Sequence, residues 1–385
     1  MNILIQKTVA ALCCSSVLAG LAFWSGTSHA QSDNSPIVIG AVISATGPLA
    51  VVGAPERDSI RLAEKIINEK GGIDGRPLRI ILEDDTSNPD TAVAKANGLV
   101  HTTGVKALIR GSGLATTRAI GTVTDKVKLP HVAMTGLGPE IERSRNCIVH
   151  LAPSQELNAR GLLEYATKAL KVQRIGVLHD SGFGQAVALQ LQKLAPEYEV
   201  TFTGFEKFEV GATDTTTQAA KIRASSPEAI FIAATATTPF RNAKQVGVDV
   251  PIISTFSVAT YEAAKAMGDA TNGVTFSEFV VAEDPLPHQA EFIKLFEKEY
   301  GRQPKAYESL GWDAVNVVAS IFKGQSKDAT SEQICKTLRA QKIQGVLAAF
   351  DFTAADLGGL TVTSINYSRY SNGKFRRLPF RTEGK

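Results

Sequence analysis

Short apolar runs alternate with helical patterns along almost the whole chain, and this alternation constrains the fold more than any other feature. In the first part of the chain the apolar runs are IVIGAVI (37–43), LRIILE (78–83), KALIR (106–110) and HVAMT (131–135). Continuous apolar runs of this kind are typical of buried parallel strands. Between them, residues 56–70 place Ile60, Ala63 and Ile67 on one helical face. This order predicts an α/β fold with a doubly wound parallel sheet.

The same pattern starts again after Pro153, which predicts a second unit of similar size. Its apolar runs are RIGVLHD (174–180), EVTFTGFEKF (199–208), EAIFIAAT (228–235), PIISTFS (251–257) and GVTFSEFVV (273–281). A chain of 385 residues also exceeds the usual domain size of roughly 100–200 residues. The candidate crossings between the units (148–153, 280–285 and 345–352) are short, so we expect a hinge rather than independent domains.

The N-terminal segment predicts a secretory signal peptide. Lys7 precedes an apolar run from Val9 to Trp24, and Ser28-His29-Ala30 provides a small-x-small cleavage site. We therefore expect residues 1–30 to be removed after Ala30. An uncleaved anchor would need about 20 apolar residues with flanking charges. A lipoprotein would carry its lipid on Cys13 or Cys14, and neither follows a convincing small-residue box.

The charge balance and the cysteines indicate which functions and which covalent bonds the exported chain can have. Removal of Lys7 with the signal peptide leaves 40 of the 41 basic residues against 38 acidic ones. This balance argues against nucleic-acid binding, which usually needs a concentrated basic face. Cys147 and Cys335 remain, and an oxidising compartment would permit a bond between them. The sequence does not decide whether they pair.

The stretch KALIRGSGLATTRAI (106–120) leads from a predicted strand through two glycines into a predicted helix. A dinucleotide fingerprint is disfavoured because Thr116 stands where the third glycine belongs, and because the loop follows the third strand rather than the first. Amides at a helix N-terminus, with the hydroxyls of Thr116 and Thr117, suit a small carboxylate instead. The alternative is that these threonines only cap the helix.

Motifs for catalysis and metal binding are absent from the sequence. No G-x-S-x-G elbow occurs, and the six histidines show no H-x-x-H or H-E-x-x-H pairing. The acidic run Glu83-Asp84-Asp85 is interpreted as a strand end that leads into a helix start at Asn88-Pro89. We therefore predict a protein that is not an enzyme and that has no cofactor and no metal site.

Five motifs, in order and spacing, carry a resemblance to a known family. They are ATGPLAVVG (45–53), INEKGGIDGRPLRIILEDDTSNP (67–89), HDSGFGQ (179–185), GATDTTTQAAKIRASSPEAIFIAA (211–234) and AYESLGWDAVNV (306–317). Together they resemble the periplasmic leucine/isoleucine/valine-binding protein family, the solute receptors of branched-chain-amino-acid-type ABC transporters. The resemblance implies two doubly wound parallel-sheet lobes, joined by three crossings, that close on a ligand like a hinged trap. It also implies lobe 1 at 31–150 plus 282–348 and lobe 2 at 151–281 plus 349–385.

Ligand contacts carried over by position come from both lobes. In lobe 1 the resemblance implies contacts from the first loop, the helix start after the third strand, and the end of the fourth strand: Val52, Leu114, Ala115, Thr116, Gly136 and Leu137. In lobe 2 it implies Phe183, Thr235 and Phe256. Phe256 occupies the position of the glutamate that typically binds the ligand's ammonium group. Arg110 and Asp180 are further candidates, as partners of a ligand anion and of an ammonium group.

Phe256 in place of that glutamate affects whether the ligand can carry an ammonium group. Burying an ammonium group without an anionic partner costs several kcal/mol, more than the roughly 0.8 kcal/mol gained per buried methylene. We therefore expect a small apolar carboxylate, such as an aromatic or branched aliphatic acid. A branched-chain amino acid is the alternative if Asp180 supplies the missing charge.

The expected partners follow from the same resemblance. They are the small carboxylate ligand and a membrane permease of an ABC importer, with the receptor acting as a periplasmic monomer. A receptor that reports ligand occupancy to a signalling partner would need the same closure, so the sequence leaves this alternative open. A nucleotide-dependent oxidoreductase would instead show cofactor absorbance.

Overall fold

The four apolar runs before Pro153 form a five-stranded sheet together with Ile148–His150, which lies in the expected crossing 148–153. The computed structural model describes residues 34–138, 147–354 and 356–382. The strands are β1 (Ile37–Ile43), β2 (Leu78–Asp84), β3 (Leu108–Arg110), β4 (His131–Ala133) and β5 (Ile148–His150). Their order is β2-β1-β3-β4-β5, and every neighbouring pair is parallel. The predicted doubly wound parallel sheet is confirmed.

Within the described residues, three helices connect these strands: α1 (Ala50–Glu69), α2 (Pro89–Asn97), which continues as a π-helical segment at Gly98–Thr103, and α3 (Leu114–Thr124). The predicted start of α2 is confirmed, because the Asn88 side chain accepts the amides of Asp90 and Thr91. Helix α1 begins six residues earlier than expected and continues through Pro55. Pro55 has no N–H to donate to the carbonyl of Val51. Val51 is exposed, so this carbonyl can bond to water instead.

The runs after Pro153 build the second sheet. Its parallel strands are β6 (Arg174–Asp180), β7 (Thr201–Phe208), β8 (Ala229–Ala233), β9 (Ile252–Thr255) and β10 (Thr275–Glu278). A separate hairpin follows, β11 (Lys342–Gln344) with β12 (Ala349–Asp351). The last strands are β13 (Asn366–Ser371) and β14 (Lys374–Arg377). The order of the second sheet is β14-β13-β10-β9-β8-β6-β7, with β13 and β14 antiparallel at one edge.

Five helices accompany the second sheet: α4 (Gln155–Glu164, continued by π-helical Tyr165–Leu170), α5 (Phe183–Leu194), α6 (Thr216–Ala224), α7 (Thr238–Gln245) and α8 (Tyr261–Met267). Short 3₁₀ turns lie at Phe256–Val258, Gly268–Thr271 and Val362–Ser364. Helix α4 starts with the side chain of Ser154 accepting the amide of Leu157. Helix α8 was not expected from the sequence.

Three later helices return to the first sheet. They are α9 (Ala290–Tyr300), α10 (Ala306–Phe322) and α11 (Ser331–Arg339), and α10 packs along α1. The approach is closest at Gly311, where a Cβ atom would lie 2.5 Å from the carbonyl oxygen of Glu56. The chain thus passes between the two sheets after β5, after β10 and before β13. The lobe boundaries at 150, 281 and 348 stay a prediction.

The described residues from Ser35 onward belong to one compact unit, with a continuous apolar core that includes strands of both sheets. None of their helices is both long enough and apolar enough to cross a bilayer. The predicted signal peptide, residues 1–30, lies outside the described residues.

Candidate functional site

The carboxyl ends of β1, β3 and β4 meet in one hydrogen-bonded cluster. The amide of Ser44 donates to Oγ of Ser112 at 3.0 Å, and the amide of Gly111 donates to the carbonyl of Val42 at 3.1 Å. The hydroxyl of Thr135 donates to the carbonyl of Gly111 at 3.3 Å. The loop that the sequence singled out therefore lies at the edge where open α/β sheets bind ligands.

The start of α3 presents amides rather than a side-chain cap. Gly113 is its N-cap residue, and no side chain caps the helix there. The hydroxyl of Thr116 donates to the carbonyl of Gly113 at 3.0 Å, and Thr116 is 1% exposed. Ala115 is exposed and Leu114 is half-buried. The amides of Leu114, Ala115 and Thr116 therefore fit the predicted role better than the Thr116 hydroxyl, which is already engaged.

Four predicted residues of the first sheet contribute little side-chain surface here. Leu137 is fully buried against Ala133, Ile148 and Leu357, and Val52 also lies in the core. Gly136 is pressed against the carbonyl of Pro153, where a Cβ atom would lie at 2.1 Å. Arg110 is 0% exposed at the end of β3. The expected apolar pocket wall from Leu137 is not seen, because its side chain points into the core.

At the second sheet, Asp180 joins the ends of β6 and β8. Its Oδ1 accepts the amides of Gly182 at 2.9 Å and Gly184 at 2.7 Å. Its Oδ2 accepts the amide of Thr235 at 3.0 Å and the Thr235 hydroxyl at 3.3 Å. Two bonds to each oxygen fill the acceptor capacity of a carboxylate. Asp180 therefore holds the loops together, and the expectation that it restores ammonium binding is not supported.

Replacement of Asp180 by asparagine is expected to lower the free energy of unfolding by about 1–3 kcal/mol, because the amide group leaves buried N–H donors without an acceptor. Urea unfolding measures the difference. Asp214→Asn is the matched control, since Asp214 is exposed and accepts the amide of Thr216 at a helix start, a place that asparagine fills equally well. Equal stability of the Asp180 variant and this control would contradict the assignment.

Phe256 lies in an aromatic cluster where the family pattern has a carboxylate. Its ring centroid is 5.8 Å from Phe279 and 5.8 Å from Tyr307, and Phe256 is 6% exposed. The hydroxyl of Tyr307 donates to the carbonyl of Ser257 at 3.0 Å. This bond connects the start of α10 to the loop after β9. Phe183 is half-buried at the first position of α5 and packs against the same core.

A cavity of about 610 Å³ lies between the first turns of α1 and the loops that follow β8 and β9. The α1 side is mostly apolar, with Val51, Ala54 and Pro55. The opposite side carries hydroxyl groups: Thr235, Thr237, Thr238, Ser257 and Thr260. Tyr307 and Arg302 complete the wall. Of the predicted residues, Thr235 lines this cavity directly, while Phe256 lies behind Ser257 and Tyr307.

The charged groups near the cavity are paired, with one exception. Arg302 donates to Asp58 at 3.0 Å and also pairs with Glu308. Glu262 is exposed on the cavity wall, and no hydrogen bond or ion pair joins it to another described residue. The parts of the chain that the structure describes contain no cluster of His, Cys, Asp or Glu able to hold a metal ion.

Sequence reasoning missed Glu56, which lies on α1 beneath the Ser112 loop. It is 0% exposed, and Ser112 Oγ donates to its Oε2. Burial raises the pKa of Glu56 well above its usual range, and the nearby carboxyls of Asp85 and Glu308 raise it further. An acid four positions after Val52, on the buried face of an amphipathic helix, was the available signal.

Comparison with known proteins agrees with this geometry. The profile of a family described as periplasmic binding protein matches residues 36–363. An amino acid binding protein of Pseudomonas aeruginosa is 25% identical over 390 residues, which cover 98% of this chain and 99% of that protein. The leucine-, isoleucine-, valine-, threonine- and alanine-binding protein of the same organism is 24% identical, with 80% of this chain and 86% of that protein covered.

A solved structure shares the fold over nearly its whole length. It is the branched-chain amino acid transporter substrate-binding protein LivJ of Streptococcus pneumoniae in complex with isoleucine. The TM-score is 0.80 at 21% identity, and the match covers 88% of this chain and 97% of that one. The family profile spans most of the chain and all strands of the two sheets except β13 and β14. The protein therefore belongs to the periplasmic binding protein family.

Proposed function

We propose that this protein is the extracytoplasmic solute receptor of an ABC importer and that it binds a small carboxylate with an apolar body between two closing lobes. The cavity carries the proposal, because the first turns of α1, which follows β1 of the first sheet, face the loops that follow β8 and β9 of the second sheet there. The amides at the start of α3 would take the carboxylate. The apolar first turns of α1 would cover the ligand's body.

The surroundings of Phe256 support a ligand without an ammonium group. Phe279 and Tyr307 flank the ring, so this position offers no charge. Asp180 has no acceptor capacity left. An ammonium group buried at either place would lack an anionic partner, which costs several kcal/mol.

A branched-chain amino acid is the second candidate ligand, and two observations favour it. The relatives compared above are named for amino acids, and LivJ holds isoleucine. Glu262 offers an exposed carboxylate on the cavity wall. On this alternative the ammonium group would lie near Glu262 rather than near Phe256.

The biological setting is proposed on the same grounds. Family membership supports a role as a non-enzymatic periplasmic receptor, exported by a signal peptide cleaved after Ala30 and active as a monomer. The lobes, predicted at 31–150 with 282–348 and at 151–281 with 349–385, would close as a hinge and present the ligand to a membrane permease. The alternative function from another class is a sensory receptor, which would present its closed form to a signalling partner instead of a permease.

Thermal shift tests the ligand class with leucine, with 4-methylpentanoate, which lacks its amino group, and with 3-methylbutylamine, which lacks its carboxyl group. We expect 4-methylpentanoate to stabilise the protein by about 2.7 kcal/mol at one hundred times its Kd, leucine to bind at least tenfold more weakly, and the amine to give no shift. Strong binding of leucine without binding of 4-methylpentanoate would contradict the apolar-acid proposal. Loss of leucine binding in Glu262→Gln would then support the second candidate.

A further inference from the structure

Glu56 occupies an unusual place for an acid. It lies in the second turn of α1, fully buried between the loop after β3 and the start of α10. Its Oε2 accepts the hydroxyl of Ser112, whose oxygen in turn accepts the amide of Ser44. Within the described residues, Oε1 has no hydrogen-bond partner. A buried carboxylate with one bare oxygen is costly, whereas a neutral carboxylic acid costs much less.

The groups around Glu56 also oppose a negative charge. Asp85 faces it from the end of β2, and Glu308 faces it from the first turn of α10. Tyr307 is close enough that Glu56 raises the pKa of its phenol. The guanidinium of Arg302 is engaged by Asp58 and Glu308. No lysine or arginine of the described chain forms an ion pair with Glu56, so only the hydrogen bond from Ser112 favours its charged form.

We propose that Glu56 is a positioning residue that works in its neutral, protonated form: it holds Ser112 beside the ligand loop and keeps negative charge away from the bound carboxylate. The inference rests on the proposed function, since Ser112 lies two positions before Leu114 and the amides that would bind the carboxylate. A charged Glu56 directly behind this loop would repel an anionic ligand. The neutral acid provides the same hydrogen bond to Ser112 without that repulsion.

This assignment predicts a specific pH dependence of binding. An anionic ligand favours the protonated state of Glu56, so ligand binding is linked to proton retention. The affinity should then fall by about tenfold per pH unit once the pH exceeds the value at which Glu56 ionises in the free protein. A residue with a purely structural role would not produce this dependence.

The test uses the full exported chain, with 4-methylpentanoate as the anionic probe and isothermal titration at pH 5 to 9. For the wild type we expect affinity to fall toward high pH. Glu56→Gln, which has the shape of the protonated acid, should lose this decline and bind at least tenfold more tightly than the wild type at the highest pH. Asp85→Asn is the matched control, and it should keep the decline in affinity because Glu56 can still ionise.

Asp85→Asn should also move the pH at which the affinity begins to fall. Asp85 is a negative neighbour that raises the pKa of Glu56, so Asp85→Asn makes Glu56 easier to ionise. The decline in affinity should therefore be kept and should begin at a lower pH than in the wild type. Ser112→Ala should move it the other way, because the Ser112 hydroxyl lowers the pKa of Glu56.

Two outcomes would overturn the assignment. If wild type and Glu56→Gln show the same pH dependence, Glu56 does not titrate in binding. If Glu56→Gln loses binding at every pH while its unfolding transition is intact, the charged form is needed, as for a contact with a ligand amine. Either result leaves the receptor function itself untouched.

Unfolding of the ligand-free protein tests the neutral state of Glu56 independently of the proposed function. Burial raises the pKa of Glu56 in the folded state, so its contribution to stability is present at low pH and is lost as the pH rises above about 4.3, the ordinary value for glutamate. The melting temperature of Glu56→Gln minus that of the wild type should therefore increase with pH. If no probe binds but this increase is seen, the ligand class is wrong and the neutral state of Glu56 stands. A flat difference overturns the neutral state as well.

Discussion

Substitution of Lys305 by methionine is expected to lower the free energy of unfolding by about 3–5 kcal/mol, because it leaves a buried carboxylate without its partner. Lys305 Nζ pairs with Oε2 of Glu278, and the two side chains are 3% and 0% exposed. The ammonium also lies 3.7 Å from the ring centroid of Phe375. Lys305 precedes α10, which packs on α1, whereas Glu278 ends β10 in the second sheet. The pair therefore joins the start of α10 to the second sheet.

Two controls separate the loss of charge pairing from the loss of packing. Lys65→Met removes an exposed pair with Glu299 and should change stability by about 1 kcal/mol or less. Lys305→Met with Glu278→Gln removes the stranded charge and should recover part of the loss. Urea unfolding measures all of these variants, and a single Lys305 variant as stable as the Lys65 variant would contradict the prediction.

The pH dependence gives an independent check of the same pair. Burial raises the pKa of Glu278, and Lys305 and Ser368 oppose this shift. Without Lys305 the carboxyl should take up a proton more readily, which removes the unpaired charge. The destabilisation by Lys305→Met should therefore be smaller at pH 5 than at pH 8.

The parallel strands could be predicted because their apolar runs are continuous. The predicted ends of the strands differ from the observed ends by up to three residues. The antiparallel edge of the second sheet was missed. Asn372-Gly373 separates β13 from β14, and both residues have positive φ, 52° and 78°. An Asn-Gly pair between alternating residues is a strong hairpin signal. The hairpin of β13 and β14 could therefore have been predicted from the local sequence.

The candidate site was less predictable, because position along a strand does not fix side-chain direction. The loops that follow the strands were identified, but Leu137 points into the core and Phe256 packs behind Tyr307. Glu56 looks like a polar helix residue until Gly311 brings α10 against α1. Such tertiary packing is set by residues more than two hundred positions apart and leaves no local pattern.

Replacement of both Cys147 and Cys335 by serine is expected to lower the free energy of unfolding by about 2–5 kcal/mol, because the cross-link restricts the unfolded chain over a long loop. The two residues are joined by a disulfide, with their Cα atoms 5.1 Å apart and a separation of 188 positions in sequence. The bond holds α11 against the residue that precedes β5.

Reduction distinguishes the cross-link from the packing of the two side chains. Dithiothreitol should lower the stability of the wild type to that of the double serine variant and should leave the variant unchanged. Serine at two buried positions also costs some packing, so the difference between oxidised and reduced wild type is the better measure of the bond itself. A wild type that is insensitive to the reductant would mean that the bond contributes nothing, and that the α11 contact depends on Ile334 and Leu338, the buried residues on either side of Cys335.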